Sequence, residues 1–75
     1  MNGFGLMVMT SHENADRIIK GMKDYVRAGG RNLNDYQTIL YRQLHIDLDR
    51  DVLSSDKIRI KEEIERFCKT YYGAY

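Results

Sequence analysis

The chain has 75 residues, enough for one small domain and too few for a catalytic cleft between two. Hydrophobic residues at 43% and charged residues at 31% fit a folded globular chain and exclude a disordered tail or a fibrous repeat. Lys and Arg number 12 against 11 Asp and Glu, so the net charge of +1 supplies no overall field to draw the chain onto nucleic acid or an anionic membrane.

Residues 1–10 set Gly3 and Gly5 among Phe4, Leu6, Met7, Val8 and Met9, an apolar N-terminal arm or a short β-strand. This segment lacks a cationic leader, and no apolar run reaches the roughly 18 residues of a membrane span, so a cytoplasmic location is expected. Thr10 and Glu13 then form a capping box, in which hydroxyl and carboxylate each accept an orphan amide proton at a helix start. Ala15, Ile18, Ile19, Met22, Tyr25 and Val26 recur at three- and four-residue steps until Gly29 and Gly30 offer left-handed end positions. The pattern predicts a helix over 11–28.

Asn32 or Asn34 can cap a second helix over 33–49. Leu33, Tyr36, Leu40, Leu44 and Leu48 share one stripe, and Ile39 and Ile46 form a flanking one, so more than half its circumference is apolar. Such a helix packs between two neighbours, or packs on one and presents the rest to a partner. Asp47, Asp49 and Asp51 oppose the negative end of the helix dipole and read as a stop. Ser54 or Ser55 then caps a third helix over 55–72, with Leu53, Ile60, Ile64, Phe67 and Tyr71 on its face and Cys68 beside them. The expected fold is mainly α: a three-helix domain over 11–75 behind the arm.

Cys68 is the single cysteine, which excludes an intramolecular disulfide, and its place on an apolar face marks it as core. With two His and one Cys a closed zinc site is not expected. Asp47, Asp49 and Asp51 match the first ligand positions of a calcium loop, but Val52 and Ile58 stand where glycine and a bidentate glutamate belong. No metal or cofactor is expected. His45 beside Asp47 or Asp49 has the make-up of an oriented base, yet no nucleophile accompanies it, and the chain reads as non-enzymatic.

Arg17, Lys20, Lys23, Arg27 and Arg31 line one side of the first helix as a basic ridge. Glu13, Asp16 and Asp24 share that side, so a solvated face is the plain reading and a phosphate-binding surface the alternative. Six tyrosines, three of them at Tyr71, Tyr72 and Tyr75, suit either a recognition surface or the edge of a core.

The order of apolar segment, capped helix, the turn Gly30-Arg31-Asn32-Leu33-Asn34 and second helix, over about residues 4–46, resembles ribbon-helix-helix DNA-binding proteins. That resemblance implies paired N-terminal strands in a dimer and polar side chains reading the major groove. Phe4 to Met9 carry no Arg, Lys, Asn or Gln for such reading. Residues 54–72 are similar in outline to the second helix of small aspartyl-phosphate phosphatases of the sporulation phosphorelay. Against that family's Leu-Ser-Gln-x-Leu-Asp, the stretch Ile60, Lys61, Glu62, Glu63, Ile64, Glu65 agrees at the apolar positions only, so the hydrolytic role is not carried over.

A core this small yields only about 3–5 kcal/mol, which association would supplement. The expected function is that of a small regulator, inhibitor or adaptor binding a protein partner, or a second copy in a homodimer, through Phe4, Leu6, Ile39 and Ile46. The alternative is a dimeric DNA-binding regulator that uses the basic ridge.

Overall fold

The capping box at Thr10 starts the fold as the sequence requires. The computed structural model describes residues 9–72, so the expected arm, with Phe4 and Leu6, lies outside the described residues. Thr10 Oγ1 accepts from the Glu13 amide at 3.1 Å, and the Thr10 amide donates to Glu13 Oε1 at 2.9 Å. Helix α1, Ser11–Arg27, follows. It ends where Gly29 takes φ 99°, with the Gly29 amide donating to the Val26 carbonyl and the Gly30 amide to the Tyr25 carbonyl, each at 2.9 Å. This is a Schellman ending, and it needs the conformational freedom of glycine.

The expected second helix is broken. Helix α2, Leu33–Ile39, is capped by Asn32, whose Oδ1 accepts from the Asn34 amide at 3.0 Å. It widens into a π-helical segment, Leu40–Leu44, and stops at His45, a left-handed residue with φ 54° and ψ 35°. The amides of His45 and Ile46 both reach the Leu40 carbonyl. Helix α3, Leu48–Asp51, starts anew from Asp47, whose Oδ1 accepts from the Asp49 amide at 3.0 Å. An aspartate opposes the end of one helix and stabilises the start of the next, so the residue read as a stop is also a start. Helix α4, Ser54–Tyr72, completes the set.

Helices α1 and α4 run in the same direction and form the main seam. At their starts Ser11 Oγ donates to Asp56 Oδ2 at 2.6 Å, and at their far ends the Tyr71 hydroxyl donates to the Arg27 carbonyl at 3.3 Å. Between them α2, the π segment and α3 form a return leg. It brings the Asp51 carbonyl to Asn14 Nδ2 at 3.3 Å and the Leu53 amide to Ser11 Oγ at 2.8 Å. The core joins Ala15, Ile18, Ile19 and Val26 of α1, Ile60, Ile64 and Cys68 of α4, and Tyr36, Leu40, Ile46 and Val52 from the leg and its connections. Burial of each large apolar side chain contributes about 1.5–3 kcal/mol before chain entropy is subtracted.

Two further expectations are corrected here. Ile39 and Ile46 do not form an exposed stripe: Ile46 is only 3% exposed, and Ile39 is half-buried against the core. Their helical register is lost where the π segment and left-handed His45 intervene. Leu53, assigned to the buried face of the last helix, is 65% exposed because it precedes the first turn of α4.

Candidate functional site: an apolar groove beside α4

Both α2 and α4 pack on α1, and a groove of about 360 Å³ opens between the return leg and α4. Ile18 and Met22 of α1 form its floor. One wall carries Leu33, Tyr36 and Leu40 at three- and four-residue steps, with Leu48 of α3 below them. The other carries Ile60, Ile64 and Cys68, each four residues from the last. Two helical ridges face each other over an apolar floor, and Ile18, Tyr36, Leu40, Ile60, Ile64 and Cys68 are each at most 5% exposed, so the groove leaves little of its lining in contact with solvent.

The rim is polar. Gln37 stands on the leg side, and Lys57, Lys61 and Glu65 form an outer row on α4. Lys57 Nζ lies 3.1 Å from Asp49 Oδ1, so one ion pair ties α4 to α3 across the lower end. The Tyr36 hydroxyl is held neutral: burial, and secondarily the negative charge of Asp24, push its pKa up to about 12.

A second cluster joins the starts of α1 and α4. His12 Nδ1 lies 3.8 Å from Asp56 Oδ1, and His12 Nε2 lies 3.7 Å from Asp16 Oδ2. Arg59 Nη1 donates to Asp16 Oδ1 at 2.9 Å, and Arg59 Nη2 donates to the His12 carbonyl at 3.2 Å. Arg59 Nε is buried without a hydrogen-bond partner, although Asp56 Oδ1 lies 3.5 Å away. The Ser11 hydrogen bond, opposed by desolvation and aided by Arg59, lowers the Asp56 pKa. The Ser11 proton is directed at the Asp56 carboxylate and not at the His12 imidazole. These contacts fasten two helix starts together.

The basic ridge is laced with ion pairs. Lys20 and Arg27 both pair with Asp24, at 3.3 and 2.9 Å, and Lys23 pairs with Glu63 of α4 at 3.8 Å. Lys23 and Arg27 also sit 5.6 and 5.1 Å from the centre of the Phe67 ring, and Arg17 Nη1 contacts Met9 Sδ at 2.8 Å. Arg31 lies past the end of α1 in the turn to α2. Lys23 and Arg27 therefore also contribute to the α1–α4 seam, while Lys20, Lys23 and Arg27 share one surface hollow with Asp16 and Asp24.

The acidic triplet likewise disperses. Asp47 caps α3, Asp49 pairs with Lys57, and Asp51 accepts from the Asp47 amide at 2.9 Å while pairing with Arg50. Among the described residues no group of three His, Cys, Asp or Glu side chains is placed to hold a metal ion. His45 serves as the left-handed end of the π segment, and Cys68 is buried in the groove wall. No helix among the described residues is long and apolar enough to cross a membrane. No family model, curated protein or solved structure matches the chain.

The groove is what sequence reading missed. Its signal was the excess apolar circumference around Leu33, Tyr36, Leu40 and Leu48, which pointed to unfilled contact surface but not to the α4 wall facing it.

Proposed function

We propose that this protein is a non-enzymatic binding module, a small regulator or adaptor, that accepts an apolar helix of a protein partner in the groove between the return leg and α4. The observation that supports the reading is the cleft between the return leg and α4, with α1 as its floor; Tyr36, Leu40, Ile60 and Ile64 are 1–5% exposed, so a helix enters by parting the two walls. Helix-in-groove modules bind through apolar ridges with charge confined to the rim, the arrangement these walls would present once parted. The proposed contact lies at the mouth of this cleft, edged by half-buried Leu33 and exposed Gln37.

A photoreactive p-benzoylphenylalanine in place of Gln37, on the groove wall, tests this in living cells. It should yield a discrete polypeptide adduct that disappears on Leu33→Asp. The same group in place of Lys20, on the opposite side of α1, should yield none. Equal adducts from both positions, or an adduct indifferent to Leu33→Asp, would show that the groove is not the contact surface.

A further inference from the structure

Residues 33–44, which make up α2 and the π segment, are held on the fold differently from the chain on either side of them. After them the leg is pinned by polar contacts: the Asp51 carbonyl accepts from Asn14 Nδ2, the Leu53 amide donates to Ser11 Oγ, and Asp49 pairs with Lys57. Before them the Tyr25 hydroxyl donates to the Asn32 carbonyl at 3.1 Å. Among the described residues no hydrogen bond or ion pair joins 33–44 to α1 or α4. Apolar packing holds this stretch, through buried Tyr36 and Leu40 and half-buried Leu33, Ile39 and Leu44. It meets α1 much less extensively than α4 does, and the cleft of about 360 Å³ lies on its α4 side. Left-handed residues flank it, Gly29 with φ 99° and His45 with φ 54°, so no continuous helix couples it to α1 or α3.

We infer that α2 and the π segment form a strap that detaches as one unit while α1, α4 and residues 46–53 keep their places. The strap joins a seven-residue helix to a five-residue π segment, too short to stay helical alone, so it melts as it leaves. Ile46 and Val52, 3% and 4% exposed, anchor the chain beyond the pivot at His45. Release uncovers Ile18, Ile60, Ile64 and Cys68, which line the cleft beside the strap. The apolar face of the α1–α4 pair is therefore presented only while the strap is off. This opening belongs to the free chain and requires no partner, so it stands apart from the binding reading and names the wall of the cleft that parts.

Native-state hydrogen exchange of the free protein, with iodoacetamide labelling of Cys68, tests the strap. The amides of Thr38, Ile39 and Leu40 should exchange at least about tenfold faster than those of Ile18, Ile19 and Ile64. Their rates should depend little on urea, because a local opening exposes little surface. Cys68, the single cysteine and 5% exposed, should be alkylated through the same opening. Ser11→Ala removes contacts that persist when the strap is off, so it should lower protection in α1 and α4 and leave the α2 amides and the Cys68 rate unchanged. Leu40→Ala should speed both α2 exchange and Cys68 labelling by about tenfold or more. Equal rates and urea slopes for α2 and α4 amides would show one cooperative unit and overturn the inference. So would a Cys68 rate that rises in Ser11→Ala or ignores Leu40→Ala.

Discussion

The Tyr36 ring lies so close to Gly21 that a Cβ built on the glycine would overlap the tyrosine hydroxyl. Tyr36 is 4% exposed and stacks at a tilt on Tyr25, with ring centres 5.4 Å apart. The bare backbone of α1 at this position is what allows α2 to dock, and it sets the height of one groove wall.

That contact makes the ordinary benefit of a helical alanine reverse sign. Gly21→Ala should gain up to about 1 kcal/mol of helix propensity. Displacing the buried ring costs about 1–3 kcal/mol, so the variant should be less stable in urea unfolding. In a Tyr36→Phe background the nearest ring atom is 3.1 Å away, and the same substitution should be close to neutral or stabilising. Equal effects in both backgrounds would deny the contact its role.

Alkaline unfolding should report the same side chain. The folded pKa of Tyr36, about 12, is above the ordinary 10.0, so the neutral form is favoured by folding. Its contribution is whole below pH 10 and is lost as pH rises from there toward 12, where the unfolded chain binds fewer protons. The urea midpoint should fall through that window, and more gently in Tyr36→Phe.

The acid side should depend on Asp56. Its pKa is lowered first by the Ser11 hydrogen bond, so its stabilisation is present above the ordinary 3.8 and disappears as pH falls through the folded value. Asp56→Asn should be less stable at neutral pH and should lose less on acidification below about pH 4, measured by circular dichroism. Ser11→Ala should act in the same direction.

At the end of the π segment, His45→Gly should raise stability by about 0.5–1 kcal/mol, since glycine accepts positive φ without the penalty of a side chain. His45→Val should lower it, because a β-branched residue tolerates that conformation poorly. Thermal melts of the two variants on either side of the parent would check the assignment.

Because Lys20, Lys23 and Arg27 are held by Asp24, Glu63 and Phe67, duplex DNA should show weak binding. An anisotropy titration at two salt concentrations measures this. A steep fall in affinity with salt that Lys23→Ala and Arg27→Ala abolish would restore the DNA-binding alternative.

Helices α1 and α4 were legible because their signals are local: a capping box at Thr10 and Glu13, paired glycines, and apolar steps of three and four. The middle of the chain was not. Asp47 carries opposite meanings at a helix end and a helix start, and nothing in the sequence around His45 announces a left-handed residue. The misplacement of Ile46 follows from that single break. The groove was half legible, since the surplus apolar face of Leu33, Tyr36 and Leu40 was visible while its separation from Ile60 and Ile64 is a tertiary distance. The seam contacts of the ridge were hidden for a similar reason: Glu63 and Phe67, which engage Lys23 and Arg27, lie about 40 residues downstream.

The contacts that fasten α1 to α4, from Ser11 with Asp56 to Arg27 with Tyr71, join positions 44 or 45 apart in the chain. During synthesis, the side of α1 that meets α4 therefore waits uncovered until α4 leaves the ribosome, and closure of that long loop should precede native burial. A nascent chain halted before Ser54 would present Ala15, Ile19 and Val26 to chaperones, so burial of the α1 face is deferred until α4 has been made.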